Sequence, residues 1–304
     1  MLFRSCNLGS IDLAKMVKST KKGVEIDWNR LKDVVRLAVH LLDNVIDMNK
    51  YPIDEIAETT RKSRKIGLGI MGWADMLIKL GIPYNSEDAL VLAERVMEFV
   101  LSAGRERSQE LAKERGAFPA FRGSLFDLKG EPEQRNSTVT TIAPTGTIGI
   151  IAGCSQGVEP LFALAYVRKT GLAGNIGDIQ LTEVNELFKQ MAIDRGFYSD
   201  ALMMEIAEKG TCVGVAGVPE DVQKFFVTAH DITPEWHVRM QAAFQKYTDN
   251  AVSKTVNFAH DATREDIANV YMMAHKLGCK GITVYRDGSR TIQVLNVGTK
   301  KEDG

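Results

Sequence analysis

The run Tyr271–Arg286, reading YMMAHKLGCKGITVYR, constrains the fold more than any other feature of this chain. A helical stretch ends at Gly278, and a β-branched strand, Ile282–Tyr285, follows almost at once. A helix that stops on glycine and turns straight into a short buried strand is the unit of an α/β layer. Other segments fit. Leu31, Val34, Val35, Ala38, Leu41, Leu42, Val45 and Ile46 form a stripe at helical spacing within residues 27–49. Ser86 opens a helical run through Glu114, with Gly116 just past its end. Thr233 before Pro234 marks a helix start, and Thr263 with Asp266 forms a capping-box pattern before the helix that stops at Gly278. Thr182 is expected to cap a segment ending near Gly196. Thr138–Ile142 is the second clear strand. The expected fold class is α/β with long helical excursions and too few strands for a complete barrel.

Composition excludes several classes. At a formal net charge of −1, no overall field draws the chain to nucleic acid or to an anionic membrane. Cys6, Cys154, Cys212 and Cys279 lie far apart and show no zinc-like spacing with the five histidines. That argues against a disulfide framework or a structural metal and fits a reducing cytoplasm. The apolar stretches fall short of a membrane span, and the first residues lack a signal-peptide core. Residues 294–304 read as a flexible tail.

Five short segments carry chemical content. Gly67-Leu68-Gly69-Ile70-Met71-Gly72 matches G-x-G-x-x-G, which marks a dinucleotide site only after a buried strand and with an acidic residue about 20 positions on. A polar stretch, Arg61–Lys65, precedes it, and a helix occupies the later region, so the glycines are read as close helix packing. Ala143-Pro144-Thr145-Gly146-Thr147-Ile148-Gly149 follows a strand and offers backbone amides and two hydroxyls together. Such a loop suits a phosphate without lysine, or is an ordinary tight turn. Glu159, directly before Pro160, is equally a cap, a surface residue or a catalytic group. Lys254, within Ser253–Asn257, would meet a nucleotide or, more simply, a carboxylate. A lone cysteine such as Cys6 is ordinarily a small buried hydrophobe.

Taken together, the segments Ser5–Ile11, Arg64–Gly69, Asn136–Pro160, Ser253–Asn257 and Gly278–Arg290 resemble ribonucleotide reductase large chains, most closely the adenosylcobalamin-dependent class. The resemblance implies residues 1–293 as the second, roughly five-stranded half of a ten-stranded α/β barrel. It implies that Cys6 is one of two cysteines that jointly reduce the ribose, and that Pro144, Thr145, Gly146 and Thr147 bind the substrate phosphates. The radical cysteine and the other reducing cysteine are expected upstream of Met1, so a complementary N-terminal polypeptide is an expected partner. A ribonucleotide substrate, adenosylcobalamin and a thioredoxin-like or dithiol reductant complete the implied set. Iron-dependent members carry a tyrosine pair shortly before Arg-Asp-Gly; here Gly281-Ile282-Thr283-Val284 occupies that region, which favours the cobalamin class. A non-catalytic nucleotide-binding subunit and an NAD-type oxidoreductase are the alternatives.

Overall fold

The structure is a computed structural model that describes residues 6–21, 23–170 and 179–289. The expected tail at 294–304, like Ser5 and Arg290, lies outside the described residues. In chain order the elements begin with β1 (Asn7–Asp12), a single 3-10 turn, and the hairpin β2 (Val17–Thr20) and β3 (Gly23–Ile26). Next come α1 (Trp28–Met48), α2 (Asp54–Ser63), β4 (Ile66–Met71), α3 (Trp73–Leu80) and α4 (Glu87–Arg115). The middle holds α5 (Leu125–Leu128), α6 (Gly146–Ala152), the pair β5 (Ala165–Thr170) and β6 (Ile179–Val184), then α7 (Glu186–Asp194), α8 (Asp200–Lys209) and α9 (Glu220–Phe225). The described chain closes with α10 (Pro234–Gln245), β7 (Thr255–Phe258), α11 (Arg264–Lys276) and β8 (Thr283–Arg286).

The expected α/β architecture is present, and among the described residues no closed barrel forms. β1 pairs in parallel with β4, from Asn7 opposite Ile66 to Asp12 opposite Met71. Parallel bridges continue from Leu68 to Thr140 and from Ile142 to Val252, and β7 pairs in parallel with β8. Each step crosses over through helices, as parallel pairing requires. One face of this array packs on helices: Ile11, Ile66, Leu68 and Ile70 meet Leu31, Val35, Val39, Leu42 and Ile46 of α1 in one core cluster. Each such side chain removed from water contributes roughly 1.5–3 kcal/mol. Leu41, part of the expected stripe, is instead 60% exposed, so the buried face of α1 is narrower than its apolar pattern.

The glycines of Gly67–Gly72 do not pack a helix. Gly67 and Gly69 lie inside β4, whose six residues are all buried. A Cβ on Gly67 would sit 2.7 Å from Leu8 and 2.8 Å from Thr141 Oγ1, and one on Gly69 would collide with the Thr141 carbonyl oxygen. The motif therefore serves strand-to-strand approach, and no strand precedes it to make a dinucleotide turn. The Thr182 expectation also fails: Thr182 falls within β6, and α7 is capped by Asn185, whose side chain accepts from Phe188 N–H.

The segment 138–142, expected as a strand, forms only isolated bridges, Leu68 to Thr140 and Ile142 to Val252. Ile66 N–H donates to Thr138 O and Leu68 N–H donates to Val139 O. The amides of Val139 and Thr140 both donate to Asp249 Oδ2, at 2.7 and 3.2 Å. At the entry to β4, Arg64 is buried in a left-handed conformation (φ 45°). Its guanidinium donates to Asp43 and Asp47, and Asn136 Nδ2 donates to Asp43 Oδ1 at 2.9 Å.

Because Asp43 is fully buried, Asp43→Ala leaves a void and removes an acceptor from Arg64, Asn136 and Arg135 at once. Urea unfolding of this variant should show a loss of about 3–5 kcal/mol, and a loss under 1 kcal/mol would mean that this hub carries no weight. A second test uses Glu110, which accepts from Arg36 and Arg107 and is thereby held at a pKa of about 2. A depressed folded-state value contributes stability above the unfolded carboxylate pKa of ~4.3 and loses it as pH falls toward the folded value. Glu110→Gln should therefore flatten the fall in stability through that acid window, measured as urea midpoint against pH.

Candidate active site

Side chains of β1 alternate, so Leu8, Ser10 and Asp12 point away from the helices that cover Ile11, and Cys6 precedes them in the same alternation. Gly67 has no side chain on this face, and the gap admits Thr141 from the neighbouring segment. Thr141 Oγ1 accepts from Asn250 Nδ2 at 2.7 Å, and the Thr141 side chain also acts on the Cys6 thiol. Burial pushes the Cys6 thiol above its ordinary pKa, with Thr141 and Lys65 opposing more weakly. Cys6 is thus held as a thiol at neutral pH.

Two residues beyond Thr141 the chain enters Pro144–Thr147. These four residues are the start of α6 rather than a free loop: Thr145 is the N-cap and Gly146 the first helical residue. Pro144 and Thr147 are exposed, while Thr145 is 6% exposed with φ 55°. The Thr145 hydroxyl does not cap its own helix; it accepts from Gly157 N–H at 2.7 Å. The first amides of a helix have no partner within it, so Gly146, Thr147 and Ile148 present N–H groups together at the positive end of α6.

Beyond α6 opens a cavity of about 1310 Å³, bordered by Ile150, Cys154, Glu159, Phe162, Asn257 and Tyr285 among others. Neither Cys6 nor Pro144–Thr147 borders it. Thr255 and Asn257 of β7 sit in register with Thr283 and Tyr285 of β8, and all four line this space. Val256 and Phe258 turn the opposite way, onto α11. Cys154 is pushed up to about 11 by burial and by the Asp12 and Asp75 carboxylates. Among the described residues no cluster of His, Cys, Asp or Glu could hold a metal ion, and no helix is long and apolar enough to cross a membrane.

Lys254 meets a carboxylate. Its ammonium is buried against Glu159 Oε2 at 2.5 Å and His237 Nδ1 at 2.8 Å, and burial lowers its pKa. His237 Nε2 donates to Ala229 O, so Nδ1 is free to accept; burial and then Lys254 drive this imidazole down to about 2. His237, Asp249 and Asp75 carry no sequence signal of their own, since each acquires its role only from partners brought over the sheet.

Residues 3–130 and 127–285 match the family described as "Ribonucleotide reductase, barrel domain". The chain belongs to this ribonucleotide reductase family. It is 55% identical over 297 residues to a vitamin B12-dependent ribonucleoside-diphosphate reductase of Thermoplasma acidophilum, and 48% identical over 299 residues to one of Mycobacterium tuberculosis. Those alignments cover 98% of this chain but only 37% and 41% of the relatives, so the chain spans about two fifths of their length. The fold is that of the Actinobacillus ureae class Id ribonucleotide reductase α subunit: TM-score 0.72 at 20% identity, covering 92% of this chain and 53% of that one. The match to the barrel family accounts for the parallel array and its helical crossovers.

The thiol environments order the cysteines by reactivity. With iodoacetamide at pH 8, Cys6 should be alkylated before Cys154, while Cys212, buried and pushed up to about 12, should react only on unfolding. Mass-spectrometric time courses check this order, and fast labelling of Cys212 in the folded chain would contradict it.

Proposed function

We propose that this chain supplies part of the catalytic barrel of an adenosylcobalamin-dependent ribonucleotide reductase, working in the cytoplasm with the remainder of the barrel. The observation that carries the proposal is the meeting of Cys6 with Thr141 across the Gly67 gap, a short step from Pro144–Thr147. On this proposal, residues 135 positions apart bring a protonated thiol toward the turn that opens α6. In this reading the amides of Gly146 and Thr147, with the Thr147 hydroxyl, receive the phosphates of a ribonucleoside diphosphate or triphosphate. Pro144 fixes the approach to the helix, and buried Thr145 shapes the turn instead of touching solvent. Cys6 acts as one thiol of a reducing pair: it gives up hydrogen to the ribose and ends in a disulfide, which a thioredoxin-like protein or small dithiol then reduces.

Adenosylcobalamin, when bound, supplies the radical that begins the reaction. The residues present fit such a group, because the space beside α6 exceeds the roughly 300–1,000 Å³ that a single small ligand fills, and Ile150, Phe162 and Met204 give it apolar walls. The names of the two relatives quoted above support the same cofactor.

The test measures ribonucleotide reduction by this chain with adenosylcobalamin and a dithiol, with and without a polypeptide supplying the rest of the barrel. Turnover in the assembled mixture that Cys6→Ser removes is the expected result. A mixture shown to assemble but giving no deoxyribonucleotide would favour a non-catalytic nucleotide-binding subunit.

A further inference from the structure

Buried Lys254 and His237, with the partly exposed Glu159, form a polar cluster that the chemistry above leaves unused. The Lys254 ammonium directs its N–H groups at three acceptors: Glu159 Oε2, His237 Nδ1 and, at 2.9 Å, Thr255 O. The other Glu159 oxygen accepts from Thr255 N–H at 2.6 Å. Both oxygens of Glu159 are therefore fixed to the edge of β7.

Glu159 ends the segment that returns from α6, and this segment is held along its length. Ser155 N–H donates to Asp75 Oδ2, and Gly72 N–H donates to Ser155 O. Tyr84 Oη donates to Val158 O at 2.6 Å. Between these anchors, Gly157 gives its N–H to the Thr145 hydroxyl. Thr145 needs that contact, because a β-branched residue at positive φ is strained and persists only when its surroundings over-determine it. Gly157 itself has φ 48°, and a Cβ there would press on Ala143 O at 3.2 Å.

We propose that the Glu159–Lys254 pair is a positioning device for the phosphate-binding turn. The pair sets the height of Gly157, Gly157 holds Thr145 in its left-handed conformation, and Thr145 aims the amides of Gly146, Thr147 and Ile148. The inference rests on the reading of that turn as a phosphate site. An ion pair suits the task better than an apolar contact. Burying two charges brings little or no net stability, but three directed acceptors define a geometry that packing alone does not. Replacing the pair by neutral groups of similar shape should leave the fold and loosen the turn.

The test combines hydrogen exchange with binding of CDP by calorimetry, on this chain as it stands. In Glu159→Gln/Lys254→Met, the Gly157 amide should lose protection and CDP affinity should fall about tenfold, as for loss of a net hydrogen bond. In a Thr145→Ala background the same pair of changes should cost nothing further, because both act through one contact. Glu159→Gln alone, which keeps shape and acceptor, should move both readouts the same way by less and guards against misfolding of the double variant. Unchanged protection at Gly157, or a loss of affinity that adds fully to that of Thr145→Ala, overturns the positioning role. CDP affinity insensitive to Thr147→Glu would instead sink the phosphate reading, and the proposal's bearing on substrate with it.

Discussion

The absence of two side chains organises the centre of this molecule. Gly67 and Gly69 alternate in their strand with Ile66, Leu68 and Ile70, which are anchored in the main core. With no side chain projecting at either glycine, the segment 138–142 can lie close enough for Thr141 to occupy the space above Gly67. From there the hydroxyl reaches Cys6 on one side and Asn250 on the other. An alanine at either glycine would drive Thr141 away, and the turn at Pro144–Thr147 would leave the sheet from a different place.

Around that centre, charge is used locally and sparingly. The chain is nearly neutral, yet Asp43, Arg64, Asp249, Glu159 and Lys254 are each tied to several partners in or near the interior. All serve irregular backbone. Arg64 and Asn136 shape the entries to β4 and to 138–142, Asp249 receives the Val139 and Thr140 amides, and Glu159 secures the return from α6. Unpaired amides buried in these places would each cost about 1–3 kcal/mol, so a carboxylate that accepts two of them is a direct remedy. The regular helices carry the apolar core, and the polar contacts fix where the sheet departs from regularity.

Much of this was legible in the sequence, for identifiable reasons. Helices announce themselves through caps and periodicity: Ser86, Thr263 with Asp266, and Pro234 all stand where the structure starts a helix. β4 was hidden because its glycines gave no β-branched signal, and a backbone approach depends on a neighbour that arrives seventy residues later in the chain. β7 is obscured for the opposite reason, since Thr255 and Asn257 face the open cavity and only Val256 and Phe258 face the core. The Pro144–Thr147 segment stands out by its residues and gains its role, as Cys6 does, from the resemblance; geometry adds that Thr145 is buried and that its hydroxyl is already engaged. Lys254 and Glu159 were visible as residues, but their pairing spans 95 positions and had no local signature.

The irregular segment at Val139 and Thr140 also bears on how the chain comes to be made. Two of its amides wait for a carboxylate that lies 110 and 109 residues further on. On the ribosome, the middle of the sheet emerges long before Asp249, so the earlier strands can gather against α1 and α4 while this segment stays hydrated. At the 5–20 residues per second typical of synthesis, the delay is on the order of ten seconds. Until Asp249 arrives, water is the partner of these two amides, and the register of the segment they belong to depends on a residue far along the chain.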